Sequence, residues 1–286
     1  MLARASYPHG VPCWIDLIQD DYDRTTSFYA DLFGWSYEVR TPPESPFTYA
    51  YARIDGQTVG GVGGPLGDVD PIGWTAYVSV ESVDASIDDA TASGGKVVSG
   101  PNDIPGSGRV AVVADPHGAA IGLWQPAELH GAELVNAPGS WNFNELHTPD
   151  ADASIAFYAA VFGWECDRFD MGDGPAAWLF RKPGYGDVLA ESDPEIRDRQ
   201  AEAQAPDGFA DAVAWMEPFD PSASDQIASW TTTFAVGDAD AANVKAVELG
   251  AEVVTPLFDT PYTRQSSVRD PQGAFLTLSE YRPPEH

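Results

Sequence analysis

Apolar positions along the chain switch between helical and strand spacing, and the switching itself repeats. Phe28, Tyr29, Leu32 and Phe33 fall at helical spacing, and so do Ile155, Tyr158, Val161 and Phe162. Acidic residues stand where each helix should begin, Asp20-Asp21 and Asp150, able to cap free backbone N–H groups and to complement the positive helix end. Gly34 and Gly163 occupy the place of a left-handed helix stop. A short run that reads as a strand precedes each helix, and another begins at Trp35 or Trp164. The phrase FYADLFGW (28–35) thus returns as FYAAVFGW (157–164), 129 positions later, inside two copies of a β–α–β unit.

A second pairing covers the remainder. WTAYVSVESVDASIDDATASGGKVV (74–98) matches WTTTFAVGDADAANVKAVELGAEVV (230–254), and RVAVVADPHGAAIGL (109–123) matches RQSSVRDPQGAFLTL (264–278). Each DPxG sequence suits a type I turn and predicts a hairpin. Four βαβββ modules follow, an α+β architecture. The offset grows from 129 to 156 between the first helices and the later tryptophans, so the second half carries 27 extra residues. Most fall in 183–210, rich in Pro, Gly, Asp and Glu, which predicts a surface excursion with one short helix from Pro194 to Gln204. Such an excursion can serve as a lid or as decoration. The expected domains are 1–126 and 140–286, joined by a connector at 127–139.

Composition then narrows the partners. Forty-four acids against fifteen bases give 286 residues a formal charge of −29. That surface repels nucleic acid and anionic membranes, and no apolar run reaches the ~18 residues that span a bilayer. The N-terminal MLARASYPHGVPCW lacks the apolar core of a secretory signal. Cys13 and Cys166 lie in different halves without CxxC spacing, so a reducing cytoplasm is the expected location. A monomer or homodimer is expected.

The βαβββ order, the FY–GW helix ending and the DPxG turns together resemble the vicinal oxygen chelate superfamily, the fold of glyoxalases, bleomycin-resistance proteins and extradiol dioxygenases. With G-x-x-x-W-x-D-L opening one half and G-x-x-x-F-x-E-L the other, the tandem form is similar to two-domain glyoxalase-like proteins of the hydroxylase or lyase type. The resemblance implies curved mixed sheets forming cups, with metal-binding members placing His or Glu on inward strands. Carried over residue by residue, those places hold Trp14 and Phe143 on the first strands, Thr75 and Thr231 in the later modules, and Gly122 and Thr277 after the DPxG turns. The fourth strand offers Gly60 and Gly61, or Met216 and Glu217. Rings and glycines cannot ligate a divalent cation, and a lone threonine is a poor ligand. No catalytic metal and no cofactor are expected.

Strand alternation places Asp16 on the face of Trp14, and Glu145 and His147 on the face of Phe143. Each carboxylate either bonds backbone N–H groups or an arginine such as Arg53, Arg109 or Arg264, or serves as a general base or ligand anchor. His147 could share a proton with Glu145. Trp14, Phe143, Thr75, Tyr77, Trp124, Thr231 and Thr277 are the candidate ligand-binding residues. Trp74, Trp178, Trp215, Trp230 and Phe275 read as core. His9, His117, His130 and His286 read as solvated, Cys13 as packing and Cys166 as unreactive. The glycine-rich 60–67 and 100–109 lack a following helix or a Lys-Ser/Thr pair, so neither is a nucleotide loop. The leading expectation is a metal-independent protein enclosing a small aromatic or hydrophobic molecule. The alternatives are a lyase or isomerase using Glu145 and His147, and a metal enzyme with rearranged ligands Glu145, His147 and Glu217.

Overall fold

A computed structural model describes residues 4–64, 73–169, 177–223 and 225–282; part of the glycine-rich 60–67 and His286 lie outside them. Each half forms one eight-stranded mixed sheet from two consecutive modules. In the first half the elements are β1 (Pro12–Ile18), α1 (Tyr22–Phe33), β2 (Ser36–Val39), β3 (Tyr49–Ile54), β4 (Gln57–Gly63), β5 (Gly73–Ser79), α2 (Val83–Ala92), β6 (Lys96–Ile104), β7 (Gly108–Ala114) and β8 (Ala120–Pro126). The second half runs β9 (Trp141–Thr148), α3 (Ala151–Phe162), β10 (Glu165–Phe169), β11 (Ala177–Arg181), α4 (Tyr185–Ser192), α5 (Ile196–Glu202), β12 (Ala212–Pro218), β13 (Ser229–Ala235), α6 (Ala239–Glu248), β14 (Glu252–Asp259), β15 (Thr263–Arg269) and β16 (Phe275–Tyr281). The strand orders are 2-3-4-1-5-8-7-6 and 10-11-12-9-13-16-15-14, so modules pair within a half and do not swap.

Local chemistry sets the helix ends. Asp21 accepts from the Arg24 N–H and Asp150 from the Ala153 N–H, while Gly34 and Gly163 close the helices at φ 76° and 67°. The excursion differs from expectation. It holds two helices, α4 and α5, and a short turn of helix at Phe209–Asp211, because Tyr185 and the Asp211 carboxylate knit α4 to the start of β12.

The repeated phrase joins the two halves. Tyr29 of α1 donates to the Asp270 carboxylate at 3.0 Å, and Tyr158 of α3 donates to the Asp115 carboxylate at 3.2 Å. Both aspartates belong to a DPxG turn of the other half. Trp74 and Trp230 donate to those same tyrosine oxygens. The indole of Trp35 donates to the Gly139 carbonyl and that of Trp164 to the Gly10 carbonyl. Gly10 and Gly139 both sit at φ 82°, and a Cβ on Gly10 would approach the Phe162 carbonyl oxygen to 2.4 Å. Phe33 stacks on Phe234 across the same junction. Each half therefore completes the core of the other. No helix among the described residues is long and apolar enough to cross a membrane.

Candidate functional site

The two cups have opposite fates. In the first, Trp14, Asp16, Thr75, Tyr77 and Trp124 are all below 9% exposed. Tyr49 and Tyr77 both donate to the Asp16 carboxylate, at 3.1 and 3.2 Å. Their rings take space that glycines leave: a Cβ on Gly61 would lie 2.0 Å from the Tyr49 hydroxyl, and one on Gly122 would lie 2.0 Å from the Tyr77 ring. The Trp14 indole donates to Tyr49, and that of Trp124 to the Leu129 carbonyl. The candidate residues Trp14, Asp16, Thr75, Tyr77 and Trp124 are thus buried together in this cup. Their side chains fill the cup themselves.

The second cup is half-open. Tyr77 and Gly122 are replaced there by Thr233 and Thr277, short side chains that reach across less of the floor. Parallel pairing of β9 and β12 sets Trp215 opposite Glu145 and Glu217 opposite His147. Antiparallel pairing with β13 sets Thr231 opposite Glu145 and Thr233 opposite Phe143. Phe143, Glu145, His147, Trp215, Glu217 and Thr231 thus share the cup face, and all but exposed Glu217 are half-buried. At the fourth-strand place it is Trp215, rather than Met216, that faces inward; Met216 is buried on the helix side.

The chemistry concentrates on His147. Its Nε2 lies 3.5 Å from Glu145 Oε1 and its Nδ1 lies 3.5 Å from Glu217 Oε2. A Gln226 amide at 3.2 Å from Nδ1, donating to it, leaves the ring proton on Nε2, toward Glu145 and Thr231. Burial, then the hydrogen bond and negative charge of Glu217, push Glu145 well above the usual carboxylate range. Burial also holds His147 below its ordinary value, against the pull of Glu217. Both neutral forms are favoured, so a protonated Glu145 faces the Nε2–H of His147 while the imidazole lone pair lies on the Gln226 side. The arginines expected as structural partners are engaged elsewhere: Arg53 with Glu38, Arg109 with Asp84 and Asp103, Arg264 with Asp240 and Asp259.

A raised carboxyl favours folding most below its unfolded value, about 4.3, and loses that contribution as pH rises toward its folded value. Glu145→Gln is therefore expected to gain stability relative to the parent on going from pH 5 to pH 8, read by urea unfolding at both. A gain that shrinks over that interval would reject the raised carboxyl.

At the rim of this cup a cleft of about 260 Å³ lies between the N-terminal segment, the start of β9 and the excursion. Tyr7, Trp141, Phe143, Tyr185, Leu189 and Phe209 wall it. Phe143 and Phe209 each pack against Trp215, with ring centroids 6.1 and 6.2 Å apart. Of these, sequence reading found only Phe143. Tyr185 and Phe209 had one signal, that they are the large aromatics in an otherwise polar excursion. Thr277 meets Ser267 at 3.0 Å in the floor. Elsewhere, burial pushes the Cys13 and Cys166 thiols up, so both stay protonated near neutrality. His130 is exposed, but His117 corrects the solvated reading, since its Nε2 is buried.

A model of the Glyoxalase/Bleomycin resistance protein/Dioxygenase superfamily matches residues 13–123 and 142–278. The chain belongs to this superfamily. It is 34% identical over 289 residues to "Putative glyoxylase CFP32" of Mycobacterium bovis, covering 99% of both chains. It is 32% identical to "Anthracycline biosynthesis protein DnrV" of Streptomyces peucetius, covering 96% of this chain and 94% of that one. Among solved structures, the Mn(II)-bound glyoxalase of Novosphingobium aromaticivorans aligns with TM-score 0.58 at 16% identity, over 95% of this chain and 82% of that chain. The dioxygenase LapB of Pseudomonas sp. KL28 aligns with TM-score 0.58 at 11% identity, over 100% and 96%. Both show the glyoxalase fold.

Members of the fold include metal enzymes, so the donor set decides the fit. The places that the resemblance implies for cations hold Trp14, Thr75, Gly122 and, by strand register, Gly61 here, and Phe143, Thr231, Thr277 and Trp215 in the other half. These residues do not fit a divalent ion. Glu145, His147 and Glu217 have ligand atoms within 4.8 Å of one another, but they sit outside those places and the third is exposed.

Proposed function

We propose that the chain binds a small, flat, largely apolar organic molecule in the cleft at the rim of the second cup, without a metal at the family's cation places. The observation that carries this reading is the asymmetry between the cups. One is filled by its own tyrosines, while the other keeps a half-open floor under Phe143 and Trp215. An aromatic wall with few polar groups suits a planar ring system. The relatives named for anthracycline biosynthesis lend support and supply a probe. Titration with an anthracycline is expected to quench tryptophan fluorescence saturably. Phe143→Ala should weaken binding on the order of tenfold, equivalent to about 1.4 kcal/mol of lost ring contact. Prior treatment with a chelator should leave the titration unchanged. No saturable quenching, or its loss on chelation, sinks the reading.

A second reading is favoured by one specific feature, the opposed shifts of Glu145 and His147 across 3.5 Å. It makes the pair the acid and base of a lyase or isomerase acting on a molecule that extends from the cleft past Phe143 onto the cup face. Mass spectrometry and chromatography of the anthracycline after incubation should then reveal a rearranged or cleaved product. That product should vanish in Glu145→Gln while quenching persists.

A further inference from the structure

Resting on the binding reading, we infer that the ligand of this cleft carries an acidic group, and that Arg4 is its counter-charge. The chain as a whole has 44 acids against 15 bases. Yet among the described residues lining the cleft, Arg4 is the one charged side chain; the polar remainder is neutral, chiefly tyrosines with Asn136, Asn142 and Gln200. The pocket is thus locally positive on a strongly negative molecule.

Arg4 is also set apart from the other arginines. Eight of them, from Arg40 and Arg53 to Arg264 and Arg282, pair with acids. Arg24, Arg168 and Arg269 have no acidic partner among the described residues, and all three are exposed. Arg4 likewise has no acidic partner among those residues, but it is half-buried. Its backbone N–H is fixed on the Glu133 carbonyl of the connector. Its guanidinium lies over the rings of Tyr7 and Tyr185, 5.7 and 5.4 Å from their centroids, and donates to the Tyr185 hydroxyl. Stacking on two rings holds the cation in place without neutralising it. A guanidinium carries five N–H donors in a fork that matches a carboxylate. Among the described residues, the only side-chain group that accepts from Arg4 is the Tyr185 hydroxyl. A planar aromatic acid would place its ring against Phe143 and Phe209 and its carboxylate on this fork.

The test uses a matched pair of planar probes, anthraquinone-2-carboxylate and anthraquinone-2-carboxamide, titrated by tryptophan quenching at pH 7.5. The carboxylate is expected to bind at least about tenfold tighter than the amide, in line with a charge-assisted, bidentate contact. That preference should shrink when salt is raised from 50 to 500 mM, as charge pairing at a partly open site is screened. In Arg4→Met the carboxylate should fall to the amide's level, and Arg4→Lys should restore part of the gap. Equal binding of the two probes to the parent overturns the assignment of Arg4 while leaving the cleft as a binding site. Failure of both probes to bind overturns the cleft reading and this inference together. The parent comparison needs no variant to fold.

Discussion

Asp270→Ala is expected to destabilise the whole chain by roughly 3 to 5 kcal/mol, although it removes one side chain from a surface turn. The Asp270 carboxylate is buried, and it accepts from the backbone N–H groups of Gln272 and Ala274, from the Gln19 amide and from the Tyr29 hydroxyl. Each buried donor left without a partner costs about 1–3 kcal/mol, and entering water recovers part of the sum. Two of the donors belong to the first half, so the loss is felt on both sides of the junction. Urea unfolding of the parent and the variant should each give one cooperative transition, displaced as a unit. Asp115→Ala, which strips Tyr158 and two backbone N–H groups of their acceptor, should behave alike. A displacement below about 1 kcal/mol, or two separate transitions, would falsify the reciprocal junction.

The second large effect concerns the open cup. Thr233→Tyr combined with Thr277→Gly should close it and abolish anthracycline quenching, while the protein stays folded. The pair copies the first half, where the Tyr77 ring lies over Gly122 and its hydroxyl reaches the Asp16 carboxylate. The strand pairings are equivalent: β5 runs parallel to β8 as β13 does to β16. A tyrosine at 233 would therefore cross a glycine at 277 and present its hydroxyl to Glu145. Volume moves between adjacent positions and does not accumulate, so overpacking is limited. Retained quenching at parental affinity would confine the ligand to the cleft and take the floor of the cup out of the site.

Much of this was legible in the sequence, because the signals were local. Gly34 and Gly163 announce helix stops through a conformation only glycine adopts cheaply, and the structure closes α1 and α3 on them. Glu145 and His147 share a face by the two-residue period of a strand, and they meet at 3.5 Å. What failed was reach. Period two gives the side Tyr77 faces, but not that its ring lies across a neighbouring strand onto Gly122. The register of Glu217 was hidden by the excursion, which breaks the offset between halves just before β12. Asp115 and Asp270 read as turn residues, and so they are, but their second task needs a tyrosine from the other half. The Arg4–Tyr185 contact spans 181 positions and leaves no periodic trace.

The crossed tyrosines divide labour between the halves. Among the described residues the cup of the first half is filled by its own side chains, yet that half cannot be discarded. Asp115 and the Gly10 carbonyl are the sockets in which the receptacle's helix and its tryptophan are seated. One copy of the repeat thus braces the other through these contacts. Trimming the chain to its second half would leave the Tyr158 hydroxyl and the Trp164 indole without the acceptors they now use, Asp115 and the Gly10 carbonyl.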